Sequence, residues 1–504
     1  MAVFKLKGTL KSKKNPKTPQ RVSTMQISLP SNHRSPKSLF LALALVLPGS
    51  AAMAATLDWN PTDDPGADGI WSSTAANWWD GTSNVAWTDS ADTARFPSFT
   101  GSNEVTLGEA ITAASVALAT GSGDVTLMGE ALTVNGNING LSTRTLRFDN
   151  DLTIGGTSGT VRDLLGRIDI AGVLSSDAQI WSSTATSVIT LRSANINTGG
   201  VFLRSGTIEL GHDNALGAGT FRLGDRSGST FTVRAINGDR VIGTNITSQT
   251  REDGSLRNAT FDGNLTFTGN WQIDRGSGSN GSNIFDARTI NGTTTFTGTV
   301  SSHQDVSFQK RGDGTLVFNH ASGNTSTAFA AGLQVRAGTL RIDSPFAGQG
   351  DYTIGGFGAA ATLTGGSSIS MAEGKTFTVG DQGVVRPDGT MTVTSAGVAF
   401  GAGSTFAMDA PEMLLAIVGN LDLSALGNIL VFAELGGFGI GDVLVTYTGT
   451  LTGEFSTITG LDSGLSLDYG DGLNSQISIV PEPSVYGLFA GLVGLLAIGL
   501  RRRR

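Results

Sequence analysis

No cysteine occurs in the 504 residues. Disulfides, Cys-ligated zinc, iron–sulfur clusters and a cysteine nucleophile are thereby excluded. Histidine occurs four times. His33 lies in a basic leader, and His212, His303 and His320 stand far apart beside polar turn residues. A multi-His metal site or a Ser-His-Asp triad has almost nothing to build on, and the sequence assigns no cofactor. Charged residues make up 15% of the chain, against roughly 25% in an ordinary soluble domain. After the leader only two lysines remain, Lys310 and Lys375. No long amphipathic helix pattern is present. Glycine is what abounds, with 70 residues, about twice the usual share.

The charges divide the chain. Residues 1–54 carry nine Lys or Arg and no acid, and Arg501, Arg502, Arg503 and Arg504 close the C-terminus. Between 55 and 480, 21 basic residues stand against 41 acidic ones, a net charge of −20. Such a surface repels nucleic acid and anionic lipid.

The leader reads as a secretory signal, which makes the Sec translocon the first expected partner. Lys37 precedes the apolar run from Leu39 to Leu47, and Pro48-Gly49 stops a helix. Ala52-Met53-Ala54 fits the small-x-small cleavage rule, so Ala55 is the expected first mature residue. Met25 is an alternative start.

The middle consists of short alternating runs bounded by Gly, Asn, Asp or Ser. Thr207 to Leu210, Thr315 to Phe318, Thr339 to Ile342 and Thr376 to Val379 are four of them. Alternation puts Leu316 and Phe318, or Leu340 and Ile342, on one face of a strand. A Gly-Thr-apolar unit recurs from Gly159, Gly206, Gly219, Gly298, Gly314, Gly338, Gly389 and Gly449. One strand and one corner, repeated irregularly, predict a solenoid of roughly 20 to 25 residues per coil.

The C-terminus carries Val480-Pro481-Glu482-Pro483-Ser484, then an uncharged apolar stretch to Leu500, then four arginines. Counted from Ser484 the stretch is 17 residues, the lower limit for a helix that spans a bilayer. The arginines hold that end in the cytoplasm. The prolines keep Glu482 extended, as a processing enzyme requires.

This ordered tail resembles the PEP-CTERM sorting signal of Gram-negative bacteria. The resemblance implies recognition of Pro481, Glu482 and Pro483 by an exosortase, a membrane-embedded transpeptidase-like enzyme. It further implies transient anchoring in the inner membrane, removal of the helix, and export to the cell surface or exopolysaccharide matrix.

A second resemblance lies in the middle. Lys310-Arg311-Gly312-Asp313-Gly314-Thr315-Leu316 leads, after a polar bridge, to Val335-Arg336-Ala337-Gly338-Thr339-Leu340. A degraded copy runs from Val201 to Thr220. Both are similar to the autotransporter-associated β-strand repeat, whose passengers are right-handed parallel β-helices. The wording departs from the family between Asn319 and Phe329. Arg311-Gly312-Asp313 spells an integrin tripeptide but sits in the repeat's own corner.

The expected fold is therefore all-β, a right-handed parallel β-helix with N- and C-terminal β caps and one C-terminal transmembrane helix. The expected parts are a signal peptide (1–54), a Trp-rich β cap (55–130), the repeats (131–404), a β cap (405–479) and the sorting signal (480–504). Five of seven tryptophans fall between Trp59 and Trp87. They read as aromatic bulk over the first coil, with Trp78 and Trp79 as candidate glycan-stacking residues. Asp58, Asp63, Asp64 and Asp68 form an acidic cluster without calcium-loop spacing. Asp149 and Asp151 are a candidate carboxylate pair. The leading expectation is a non-enzymatic matrix or adhesin-like protein. A β-helix polysaccharide lyase or hydrolase and a membrane-anchored glycan-binding protein stay open.

Overall fold

The computed structural model describes residues 54–482, except 89, 225–229, 250–256, 276–282, 321–323, 330, 434–436 and 472–474. Ala52, Pro483 and the arginine cluster lie outside the described residues, as do most of the leader and the apolar tail.

The chain winds as an all-β parallel solenoid of about 14 turns. Its one helical element among the described residues is a 3-10 turn at Pro61–Asp63. A coil holds up to three short strands, one on each of three ladders. Val161–Leu165, Arg167–Ile170 and Leu174–Ser176 form one coil, and Gln179–Ser182 returns to the first ladder. Alternation decides what points inward. In Thr145–Phe148, Leu146 and Phe148 are buried while Thr145 and Arg147 are half-exposed. Register then stacks like on like. Val105, Leu127, Phe148, Ile170, Leu191 and Leu210 form one unbroken inward column through parallel pairs. Full burial of each such side chain contributes about 1.5–3 kcal/mol.

From Phe261 to Tyr352 aromatic rings from several ladders fill the interior. Phe267 and Trp271 stack on Phe296 at 5.1 and 4.5 Å, and Phe318 stacks on Phe346 at 5.5 Å. No single coil could bury such rings alone.

The turns are tied between coils by side chains. Asp124 Oδ1 accepts the Thr145 N–H, Asp151 Oδ1 that of Val173, Asn264 Oδ1 that of Thr293, and Asn420 Oδ1 that of Thr450. Each satisfies, from the coil before it, a backbone donor at or just ahead of the start of a strand. Where the third ladder breaks after Leu174–Ser176, asparagines take its place. Asn195 accepts from Leu174 N–H and donates to Ala215 carbonyl, and Asn197 donates to Leu216 carbonyl at 2.9 Å. The ladder resumes with Arg240–Ile242.

The repeat corner has a specific construction. Lys310 follows Val306 and Phe308 on the inward side of its strand and is wholly buried. Its ammonium donates to the carbonyls of Arg311, Gly312 and Ala337 at 2.8, 2.7 and 3.1 Å. Three acceptors match its three N–H bonds. Burial lowers its pKa to about 7, opposed by Asp313 and Asp286. Gly338 closes the corner at φ +66, where a Cβ would meet the Gly312 carbonyl and Lys310 Nζ. At Gly298 the demand is close approach instead, since a Cβ would run into the Gly269 carbonyl.

Parallel pairing runs from Thr56–Trp59 with Thr93–Phe96 to Ile429–Phe432 with Thr457–Thr459. The coils thus extend beyond both limits of the expected 131–404 segment. Among the described strands, antiparallel pairing is confined to the extremes. Trp78–Trp79 and Asn84–Val85 add to the first strand, and Leu465–Asp468 with Gln476–Pro481 adds to Val443–Tyr447.

Candidate functional site

The tryptophan cluster divides by one residue of register. In the two-residue strand Trp78–Trp79, Trp78 pairs with Trp59 and turns inward, and Trp79 pairs with Asp58 and turns outward. Trp59, Trp71, Trp78 and Trp87 close the N-terminal end of the core. Trp78 packs against Trp71, Trp59 and Trp87 with centroids 4.7, 5.1 and 5.1 Å away. Edge-to-face packing of this kind adds to their area burial. Trp78 has no exposed surface, so its expected glycan-stacking role is corrected: the ring has no face to offer. Trp79 is half-buried and keeps that possibility.

On the outer face Arg95, Asp58, Trp79 and Asn84 stand side by side across four strands. Arg95 holds Asp58 with two hydrogen bonds of 2.5 and 2.7 Å. That contact raises the pKa of the guanidinium. Asn84 Nδ2 donates to Asp63 Oδ1 at 3.0 Å, and Asn60 Nδ2 donates to Asn84 Oδ1 at 3.0 Å. Trp79, Asp58, Asn60, Asp63, Pro65 and Pro97 enclose a shallow pocket of about 340 Å³. Thr62 and Asp63 both have left-handed φ, 51° and 61°, a conformation non-glycine residues adopt at a cost.

The acidic cluster does not converge. Asp58 takes Arg95, Asp63 takes Asn84, Asp64 accepts from Gly66 N–H, and Asp68 accepts from Glu104 N–H in the next coil. The pair Asp149 and Asp151 is likewise divided between the Arg147 side chain and the Val173 backbone. Among the described residues no group of three or more acids and histidines could hold a metal ion. His212 and His303 each accept a turn N–H through Nδ1, from Asn214 and Asp305.

A polar groove of about 370 Å³ runs over the third ladder. Thr339, Thr362, Arg341, Arg386, Asp388 and Asp409 line it. Arg341 bridges Asp343 and Asp388 at 2.7 and 2.6 Å, and these bonds raise its pKa. Arg386 pairs with Asp409.

The second ladder carries a charged column outside. Arg147, Asp169, Thr190, Glu209, Arg234 and Asp262 are consecutive in register. Arg234 reaches both Glu209 at 3.0 Å and Asp262 at 2.7 Å. Further along, Asp286 is fully buried between Arg311 and Arg288, at 3.2 and 3.5 Å. Burial raises its pKa and Arg311 opposes this. Arg311 of the Arg-Gly-Asp tripeptide is therefore engaged by the fold.

Of the expected sorting motif, Pro481 ends the last strand and Glu482 follows it, both exposed. The Glu482 N–H donates to Gly464 carbonyl at 2.8 Å. Ala54 and Ala55 are exposed ahead of the first strand. Ala55 N–H donates to the Asp92 carboxylate at 2.7 Å. Among the described residues no helix is long and apolar enough to cross a membrane. Comparison with protein-family models, curated proteins and solved structures finds no match.

Proposed function

We propose that this chain is an exported structural protein of the bacterial surface or exopolysaccharide matrix, of adhesin-like character. In this reading the leader is removed before Ala55 by the Sec pathway. The coils wind right-handed. The tryptophan end and the antiparallel C-terminal strands act as caps that keep the stack from growing. The apolar tail holds the chain in the inner membrane until an exosortase-type enzyme acts near Pro481-Glu482-Pro483.

The observation that carries the reading is the end of the stack. The parallel solenoid finishes in an antiparallel strand that ends at Pro481, with Glu482 just after it, both exposed. A processing enzyme binds extended backbone most readily. The outer charges support a scaffold, because acids and arginines on the ladders pair with each other. The test is fractionation of the native host with one epitope in the exposed turn at Gly238 and another after Arg504. The expected result is an internal epitope in the surface or matrix fraction and a C-terminal epitope left in the inner membrane or lost. Both epitopes together in the inner membrane would overturn the reading.

A further inference from the structure

We propose that the pocket floored by Trp79 is a binding site for an uncharged pyranose of a polysaccharide. The inference rests on the pocket's own geometry and holds whether or not the export reading does.

Three features define the ligand. The first is the floor. Trp79 stands outward on a strand fixed on both sides, against Asp58 and Asn84. Its buried neighbours Trp59 and Trp78 lock that register, so the outer ring is presented without reorganisation. An indole face stacks on the C–H face of a sugar ring, covering apolar surface that water leaves.

The second is the rim. Arg95 fixes the Asp58 carboxylate in orientation through two hydrogen bonds. A carboxylate offers about four lone-pair sites, so acceptor capacity remains for ligand hydroxyls. Asn60, Asn84 and Asp63 form a second hydrogen-bonded set across the pocket. The left-handed turn at Thr62 and Asp63 carries the Asp63 side chain to this set. Such strain is found where a site demands it. Amides and carboxylates around an aromatic floor are the groups that pair with vicinal hydroxyls.

The third is charge and size. Arg95 compensates Asp58, while Asp63 is bonded to amides. The rim is therefore net negative and disfavours uronates, sulfates and phosphates. A volume of about 340 Å³ lies at the small end of ligand pockets, of the order of 300–1,000 Å³, which fits one or two sugar rings of a longer chain. Pro65 and Pro97 form walls with few conformations to lose.

The test uses the full chain in mild detergent. It is titrated with neutral cello-, xylo-, manno- and galacto-oligosaccharides and with oligogalacturonate, followed by calorimetry. The expected result is binding of at least one neutral oligomer, weakened about tenfold or more in Trp79→Ala and kept within a few-fold in Trp79→Phe. Asp63→Asn should relax the exclusion of oligogalacturonate. Trp181→Ala, which removes an outward tryptophan elsewhere, should leave binding unchanged. Melting curves that match the unsubstituted chain show that each variant is folded. Binding of none of the oligomers, binding of oligogalacturonate alone, or neutral binding that survives Trp79→Ala in a folded protein would each overturn the proposal.

Discussion

The coils from Val105 to Leu210 and those from Phe261 to Tyr352 stack on the same parallel second ladder with different contents. In the first stretch the inward column is almost wholly aliphatic, and partners lie 19 to 22 residues apart. In the second, rings fill the interior and the spacing reaches 29 residues, as between Phe267 and Phe296. Outside, the first stretch neutralises its charges in alternating pairs. The second gathers Arg288 and Arg311 around one buried acid, Asp286, with Arg336 nearby over the Phe357 ring. A solenoid thus fixes where a side chain points and asks only that like stack on like. Its corners ask for particular residues.

The largest effect should come from the aromatic interior. Phe296→Ala removes a ring stacked on both Phe267 and Trp271 and should cost about 3–5 kcal/mol in chemical denaturation. Leu191→Ala in the aliphatic column should cost less in the same chain. Equal losses would remove the distinction between the two stretches.

Lys310→Met comes next, at about 2–4 kcal/mol, because three corner carbonyls lose their donor. Its pH dependence sharpens the point. The folded pKa lies at about 7, below the ordinary lysine value of 10.5. The unfolded chain therefore binds more protons between those values, and stability rises with pH across that window. Below the lower value both states are protonated and the contribution is level. The gap between the chain and Lys310→Met should widen from pH 6.5 to pH 9.5. A gap independent of pH would assign the lysine an ordinary titration.

Asn197→Ala should cost about 1–2 kcal/mol, since a buried amide bridges a break in the third ladder. Hydrogen exchange should quicken around Ala215 and Leu216, with Phe296 unaffected. Arg234→Gln should have the smallest effect, about 1 kcal/mol and partly fading in high salt, because Arg234 itself is half-exposed and the buried Asp262 keeps its hydrogen bond from Asn291 Nδ2. A large, salt-independent loss would mean that the outer column carries the stack.

The strands were the legible part of this sequence. Thr207 to Leu210 and Thr339 to Ile342 alternate cleanly, and each is a strand with its apolar side inward. Lys310 was visible as a motif residue, but a lysine is ordinarily sought at the surface. Its place two residues after Phe308 was the available signal. The asparagines and aspartates read as turn punctuation. Their bonds to the following coil depend on a register that no single segment contains. Trp78 and Trp79 show the same limit, because one residue of register decides which ring is buried. Parallel pairing outside residues 131–404 was hidden for a related reason. The coils outside them carry little of the Gly-Thr wording, yet they pair in parallel.

The central claim is export with processing at both ends. The most direct measurement is the intact mass of the protein recovered from the matrix of the native host. The account predicts a chain that begins at Ala55 and ends near Pro481-Glu482-Pro483. A mass that still includes Val485 to Arg504 would contradict it.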